Sequence, residues 1–313
     1  MNPLALIAGR ATWMLAIGVF GGIVWQPLAD ALAPWLEAFI VMNLTLSMVR
    51  IEPAALGAYL RRPGLIAAIF VFTMAAAPLA VWALTRAAGA DGPLAAGMVF
   101  HGLATPFMSA PALCLIFGLD AALALIVTVL CYALVPFTLP PLALWLLGIE
   151  LDVTVAELMW RLGRIVGASF LLAIVLRRLA GPAGLARHAP SMDGLMVLGM
   201  VGVAVSLMSG LPDFATQNPA YTGIATGAAF ATNIGLQIAG AAVFWRLGRR
   251  AAITVGLITG NTNVALVLAA VSQSASYDLL VYFVVGQFPI YLLPLVAVPV
   301  YRRLVGGAAG PSG

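Results

Sequence analysis

Two stretches, Thr105-Pro106-Phe107-Met108-Ser109-Ala110-Pro111 and Thr259-Gly260-Asn261-Thr262-Asn263, decide how this chain is read, because each interrupts a long apolar run with residues that resist helix. Pro106 and Pro111 each remove a backbone donor and clash with the preceding turn, and Gly260 beside two asparagines and two threonines favours local unwinding. Lipid offers no hydrogen bonds, so unwound backbone in the middle of a membrane span must be buried in protein or line a wet cavity. A single break reads as a kink. Two breaks in matching places, one of them dense in polar side chains, read as a midplane binding site whose half-helix N-termini suit an anion.

The rest of the chain supports reading these runs as membrane spans. It is 63% apolar and 8% charged, against roughly 45–50% and about 25% for a soluble domain. Apolar runs able to cross a bilayer recur from Ala11 almost to the C-terminus with short connections, which leaves no room for a soluble domain. An outer-membrane barrel would alternate with period two, whereas Gly64 to Leu84 is apolar all round. The class is an all-α membrane protein. The arginines come in ones and twos between spans and no lysine occurs, so they read as topology signals and not as a nucleic-acid surface. Cys114 and Cys131 fall inside spans, at a spacing unlike any metal or redox motif, and no disulfide is assigned. No Ser/His/Asp set, phosphate-cradling glycine loop or metal-ligand cluster is visible, so no catalytic residue, metal or cofactor is assigned and an enzyme is not expected.

About ten spans are predicted, near 11–28, 34–50, 64–85, 94–118, 121–147, 160–177, 191–211, 220–246, 250–273 and 278–301. Ala31-Leu32-Ala33 mimics a signal-peptidase site, but the preceding apolar run is long for a signal and belongs to the repeat described next. With Arg10 cytoplasmic, Arg50, Arg61, Arg62, Arg177, Arg178, Arg187, Arg246, Arg249, Arg250, Arg302 and Arg303 fall on the same side. The opposite side holds Arg86, Arg161 and Arg164 beside Asp30, Asp91, Glu150, Asp152, Glu157, Asp213 and Asp278. This asymmetry predicts a bacterial inner-membrane protein with both termini cytoplasmic. Five spans per half is an odd number, so duplication gives two inverted repeats, 1–150 and 151–313. A shift of about 153 residues lays Pro111-Ala112-Leu113 on Val264-Ala265-Leu266, and the proline-bearing Val135-Pro136-Phe137 on Phe288-Pro289-Ile290.

Further polar residues inside spans are candidates to face a cavity: Asn233 and Gln237, one helical turn apart in span eight with Thr232, then Gln287, Thr105 and Asn261. Each could instead make an interhelical hydrogen bond, worth only about 0.6 kcal/mol on average in membranes. His101 could titrate near neutral pH, although satisfaction by a backbone carbonyl is the plainer account. Asn43 and Thr45 read as structural, and Asp120 as a solvated connection.

At these residues the sequence resembles the bile acid:sodium symporter family. Asn43-Leu44-Thr45-Leu46 with Arg62-Pro63, the stretch from Gly97 to Pro141, and Gly260-Asn261-Thr262-Asn263-Val264-Ala265-Leu266-Val267 carry the likeness, which is closer in layout than in identity. The resemblance implies an NhaA-like fold with crossed, discontinuous helices four and nine. It also implies a panel domain from spans 1, 2, 6 and 7 and a core domain from spans 3–5 and 8–10. Where the family holds sodium with a Ser-Asn pair, hydroxyls, a Gln, and a Glu with a Gln, this chain has Pro111 and Ala112, Leu125 and Val129, Thr73, and Ile258 and Thr262. Most oxygen ligands are gone, so the family's two sodium sites are not expected here. The family's substrate contacts fall on Ser109 and Asn263.

The function these readings favour is secondary transport of a small anionic or amphipathic organic solute by alternating access, as a facilitator or coupled to protons. The substrate would meet Thr105, Ser109, Pro111, Asn233, Gln237, Asn261, Thr262, Asn263 and Gln287. One alternative is a sodium-coupled symporter with new ligands such as Thr73, Asn261 and Thr262. Another is a solute-binding sensor that has lost transport. The expected partners are the solute, the lipid bilayer, and Na+ or H+ as coupling ion, with no nucleic acid.

Overall fold

The computed structural model of the chain describes residues 3–50, 59, 61–148 and 153–306. The expected boundary between the halves, with Glu150 and Asp152, lies outside the described residues. Among them the chain is helical between short connections, and the one β-like feature is an isolated antiparallel bridge between Pro106 and Thr262.

The first half opens with α1 (Pro3–Ala8), α2 (Ala11–Val24), α3 (Gln26–Leu32) and α4 (Leu36–Val49). α5 (Pro63–Val71) runs through a π turn at Phe72–Ala76 into α6 (Ala77–Ala87). Then come α7 (Gly92–Leu103), α8 (Ala110–Phe117) and α9 (Ala121–Leu147). α10 (Val155–Leu207) is two helices folded at Gly181, whose φ of 62° only glycine adopts readily, with Pro182 starting the second helix at its tolerated first position. A loop was expected between spans six and seven; the helices instead extend up to this hinge. α11 (Leu211–Gln217), α12 (Pro219–Val243), α13 (Arg249–Gly260), α14 (Val264–Val271), α15 (Tyr277–Val285) and α16 (Gln287–Val305) complete the chain.

Five stretches are long and apolar enough to cross a membrane: Gln26–Val49, Pro63–Ala87, Ala121–Leu147, Val155–Gln217 and Tyr277–Val305. The two interrupted runs fall below that length because each is divided into shorter helices. The division repeats in detail. α7 and α8 have 12 and 8 residues and are followed by the 27-residue α9. α13 and α14 have 12 and 8 residues and are followed by α15 and α16, with 9 and 19 residues.

Packing sorts the helices into two groups. α2 and α4 lie against α10, while α7 packs on α6, α12 and α15, and α12 packs along α13. The α12–α13 approach is set by small residues: a Cβ on Gly256 would overlap the Gln237 carbonyl, and one on Gly260 the Asn233 carbonyl. This Gly-x-x-x-Gly spacing puts both glycines on one helix face, where backbones can close in and gain dispersion contacts that lipid cannot supply selectively.

Charged side chains collect at two ends. One holds Arg50 paired with Asp193, Arg177 on the Val49 carbonyl, Arg250 on the Leu119 carbonyl and Arg302 on the Ile116 carbonyl. The other holds Arg86 with Asp91, Arg161 with Glu157, and Arg164 with Glu37. Cys114 and Cys131 are both buried and free.

Candidate functional site

The two helix breaks meet. Residues 104–109 separate α7 from α8 and residues 261–263 separate α13 from α14, so both breaks sit slightly later than the residues that announce them. Pro111 stands in the first turn of α8, where a missing N–H costs nothing, and Gly260 is the last helical residue of α13. The freed backbone groups satisfy one another: Phe107 N–H donates to the Asn261 carbonyl and Asn263 N–H to the Thr105 carbonyl, both at 2.7 Å. An extended crossing of this kind needs no water and no lipid contact to account for its polar groups.

Side chains complete the crossing. The Gly260 carbonyl, left without a helical partner, accepts from Asn233 Nδ2 at 2.9 Å and lies 3.2 Å from His101 Nε2. Gln237 supports Asn233 at 2.6 Å and in turn accepts from the Tyr301 hydroxyl. Thr262 Oγ1 donates to the His101 carbonyl at 3.0 Å. Asn263 has two tasks: its Oδ1 caps α14 by accepting from Leu266 N–H at 3.2 Å, and its Nδ2 donates to the Tyr132 hydroxyl at 2.7 Å. Thr105 lies beside the same hydroxyl.

The structure therefore divides the sequence-predicted residues. Asn233, Gln237 and Thr262 are bonded into the crossing, and Gln287 donates to the Phe283 carbonyl of the preceding turn at 3.2 Å. The Asn261 side-chain nitrogen is buried without a partner. Thr73 sits in the π turn, with its hydroxyl 3.5 Å from that of Thr259. Among the described residues no hydrogen bond joins Thr73 to Asn261 or Thr262, so the three do not form one cluster by contact.

Ser109 and Pro111 line a cleft of about 420 Å³ between α4 and α10 on one side and α8 and α9 on the other. Its mouth carries Arg50 and Asp193, joined at 3.2 Å, at the arginine-rich end. Beyond Met108 and Ser109 a recess of about 20 Å³, room for a water molecule, reaches Asn43, Asn263 and Tyr291. The wall supplied by α4 is a polar stripe: Asn43, Ser47 and Arg50 are spaced four and three residues apart, share a face, and span about 10 Å at 1.5 Å per residue. Facing it, Asp193, Met196 and Met200 form a matching stripe on α10, and Ser109 Oγ contacts Met200 Sδ at 3.2 Å. Asn43 Oδ1 and Ser47 Oγ are buried without partners. An orphaned buried polar atom costs about 1–3 kcal/mol, so these two are held ready for a ligand or water.

Asn43, expected to be structural, is thus a wall of the recess. Its spacing to Ser47 and Arg50 is the signal that could have shown this. The methionine stripe carries no such signal, since apolar residues fill every span. The largest cavity, about 620 Å³, is an almost wholly apolar groove beside exposed Phe137 and Trp160, away from both breaks.

No family model matches the chain, and no curated protein does either.

Proposed function

We propose that this chain is a secondary transporter of a small anionic or amphipathic organic solute, working by alternating access around the crossed breaks. The observation that carries the reading is the juxtaposition of two interrupted helices, bonded backbone to backbone, at the closed end of a cleft whose mouth holds an arginine. On this reading the ten spans form two inverted repeats. The matching 12- and 8-residue half-helices, each pair followed by a proline-bearing long segment, support that assignment. The panel would be α2, α4 and α10, the core would be the remaining long helices, and the cleft would lie between them. The chain would sit in a bacterial inner membrane with its arginine-rich end, and both termini, in the cytoplasm.

The core side of the site would be Ser109, Pro111 and Asn263, and the panel side Asn43, Ser47 and Arg50. Met108, Met196 and Met200 supply adaptable apolar contact for the body of an amphipathic solute. The resemblance to the bile acid:sodium symporter family points the same way. Buried Ile258 and the committed hydroxyl of Thr262 stand where that family is expected to carry sodium ligands, which favours a facilitator or proton coupling over a sodium symporter.

The test is flux in proteoliposomes with candidate organic anions, sodium being varied against choline at constant ionic strength. Uptake that ignores sodium and is lost in Ser109→Ala with Asn43→Ala, while the variant stays folded, is the expected result. Tight binding without flux would select a sensor, and steep sodium dependence would select a symporter with new ligands.

A further inference from the structure

A second pocket, about 360 Å³, lies at the arginine-rich end where the entry to α5, the start of α9 and the first turn of α13 converge. Arg62, Arg249 and Arg250 line it together with Tyr59 and Asp120. Three cations thus share a cavity with one carboxylate, and that carboxylate is already engaged. Asp120 Oδ2 accepts from the Tyr59 hydroxyl, and Oδ1 accepts from Leu123 N–H at 3.0 Å as the N-cap of α9. Arg250 gives one guanidinium nitrogen to the Leu119 carbonyl at 3.0 Å, which fixes the side chain and leaves its other donors. Among the described residues no ion pair involves Arg62, Arg249 or Arg250.

The backbone adds to the same sign. Gly248, at φ 86°, delivers the chain into α13 without a side-chain cap, so the amides of Arg249, Arg250 and Ala251 have no intrahelical partner and belong to residues of the pocket wall. Topology alone asks for arginines scattered through the connections at this end. It does not ask for three of them to converge, with an uncapped helix start, on one cavity. Leu247 lines the pocket too, and exposed Trp245, with Arg246 5.6 Å from its ring centroid, stands beside it, as aromatic side chains do at headgroup depth.

We propose that this pocket binds a phosphate group bearing net negative charge, as carried by an anionic lipid headgroup or by a soluble phosphate. Guanidinium forks match phosphate oxygens two at a time, and free helix-start amides supply further donors to the same group. Basic pockets of this kind between helices hold phospholipid headgroups. The site is separate from the cleft at Ser109, and the inference does not depend on transport.

The test uses the full chain purified in a neutral detergent, which removes any surface potential. Three probes are titrated by calorimetry and thermal unfolding: dioctanoyl phosphatidic acid, dioctanoyl phosphatidylcholine and inorganic phosphate. Phosphatidic acid should bind and raise the melting temperature, and phosphatidylcholine should not. Arg62→Gln and Arg249→Gln, both at exposed positions, should each weaken binding roughly tenfold or more, while Arg187→Gln, outside the pocket, should change it less than about twofold. Binding of inorganic phosphate in competition with the lipid would assign the site to soluble phosphates as well. Binding of the lipid alone would assign it to headgroups. The proposal is overturned if neither anion binds, if phosphatidylcholine binds as well, or if Arg187→Gln weakens binding as much as the pocket variants do.

Discussion

Replacing Asn263 by alanine tests the claim that its side chain holds the crossing together. The substitution removes two bonds at once. Losing the N-cap of α14 costs about 1 kcal/mol. Losing the bond to Tyr132 costs between about 0.6 kcal/mol, the average for hydrogen bonds measured in membranes, and about 3 kcal/mol if the buried phenol is left orphaned. Thr105 lies beside that phenol and can take over as its partner, so the lower part of the range applies and a loss of about 2 kcal/mol is expected. Tyr132→Phe alone should cost less, because Asn263 keeps its capping role. The two together should fall short of additivity by about 0.5–1 kcal/mol, since the second change removes a bond already lost. Asn263→Ser retains a capping oxygen but is too short to reach Tyr132, and should fall between. The assay is reversible unfolding of the four proteins in mixed micelles by denaturing detergent. A loss below about 0.5 kcal/mol for Asn263→Ala, or strict additivity with Tyr132→Phe, would refute the account.

Three further outcomes follow from the same geometry. Gly260→Ala places a Cβ against the Asn233 carbonyl and 2.8 Å from the Gln237 amide nitrogen; both obstacles are backbone, so a loss of about 3 kcal/mol or more is expected in the same assay, whereas Gly64→Ala, which meets open space, should stay within about 0.5 kcal/mol. Asp193→Asn frees Arg50 at the cleft mouth; the pair is 38% and 41% exposed, so stability should change by less than about 1 kcal/mol, while the KM for an anionic solute should fall severalfold in low salt and the advantage should vanish in high salt. Equal responses of anionic and neutral solutes would contradict that role. The Tyr59 phenol is raised to about 12, first by burial and then by its hydrogen bond to Asp120. A folded-state value above the unfolded one near 10 gives stability that is present below pH 10 and lost as pH rises towards 12, so wild type should lose more stability than Tyr59→Phe across that window, as read by parallel melting curves.

Much of the fold was legible because membrane burial leaves few choices. Apolar runs of span length, arginines at one end, and prolines in the last long segment of each half could be read directly from the chain. The breaks were legible for the same reason: proline, glycine and paired asparagines have no business in a lipid-facing helix unless another group satisfies the backbone they release. The identity of that group was not legible. Nothing in the residue types of Phe107 or Asn261 indicates that the amide of one will meet the carbonyl of the other, because a backbone bond across the molecule depends on where both helices end. The side-chain roles blurred in the same way. Asn233 and Gln237, one turn apart, share a face whether they look into a cavity or onto the Gly260 carbonyl, and only the position of α13 decides between them. Asn43 was misjudged because it was considered singly; the face it shares with Ser47 and Arg50 is where its meaning lies.

Crossed breaks also limit how the molecule can move if it transports. The bonds between Phe107 and Asn261 and between Asn263 and Thr105 tie α7–α8 to α13–α14, and the Asn233–Gly260 and Asn263–Tyr132 bonds extend that tie to α12 and α9. Breaking any of these in the membrane would orphan backbone or amide groups at about 1–3 kcal/mol each, and a cycle that broke several would be too costly to run repeatedly. The cleft wall is different. There the link from α10 to Ser109 is a single hydroxyl-to-thioether contact, and Asn43 and Ser47 have polar atoms with no protein partner to lose. Motion that keeps the crossing intact and slides it past α4 and α10 therefore breaks almost no hydrogen bonds, and it carries Ser109 along the stripe that leads to Arg50. A disulfide that locks α4 to α8 should abolish flux while leaving solute binding in place, whereas one that locks α8 to α14 within the crossing should leave both intact.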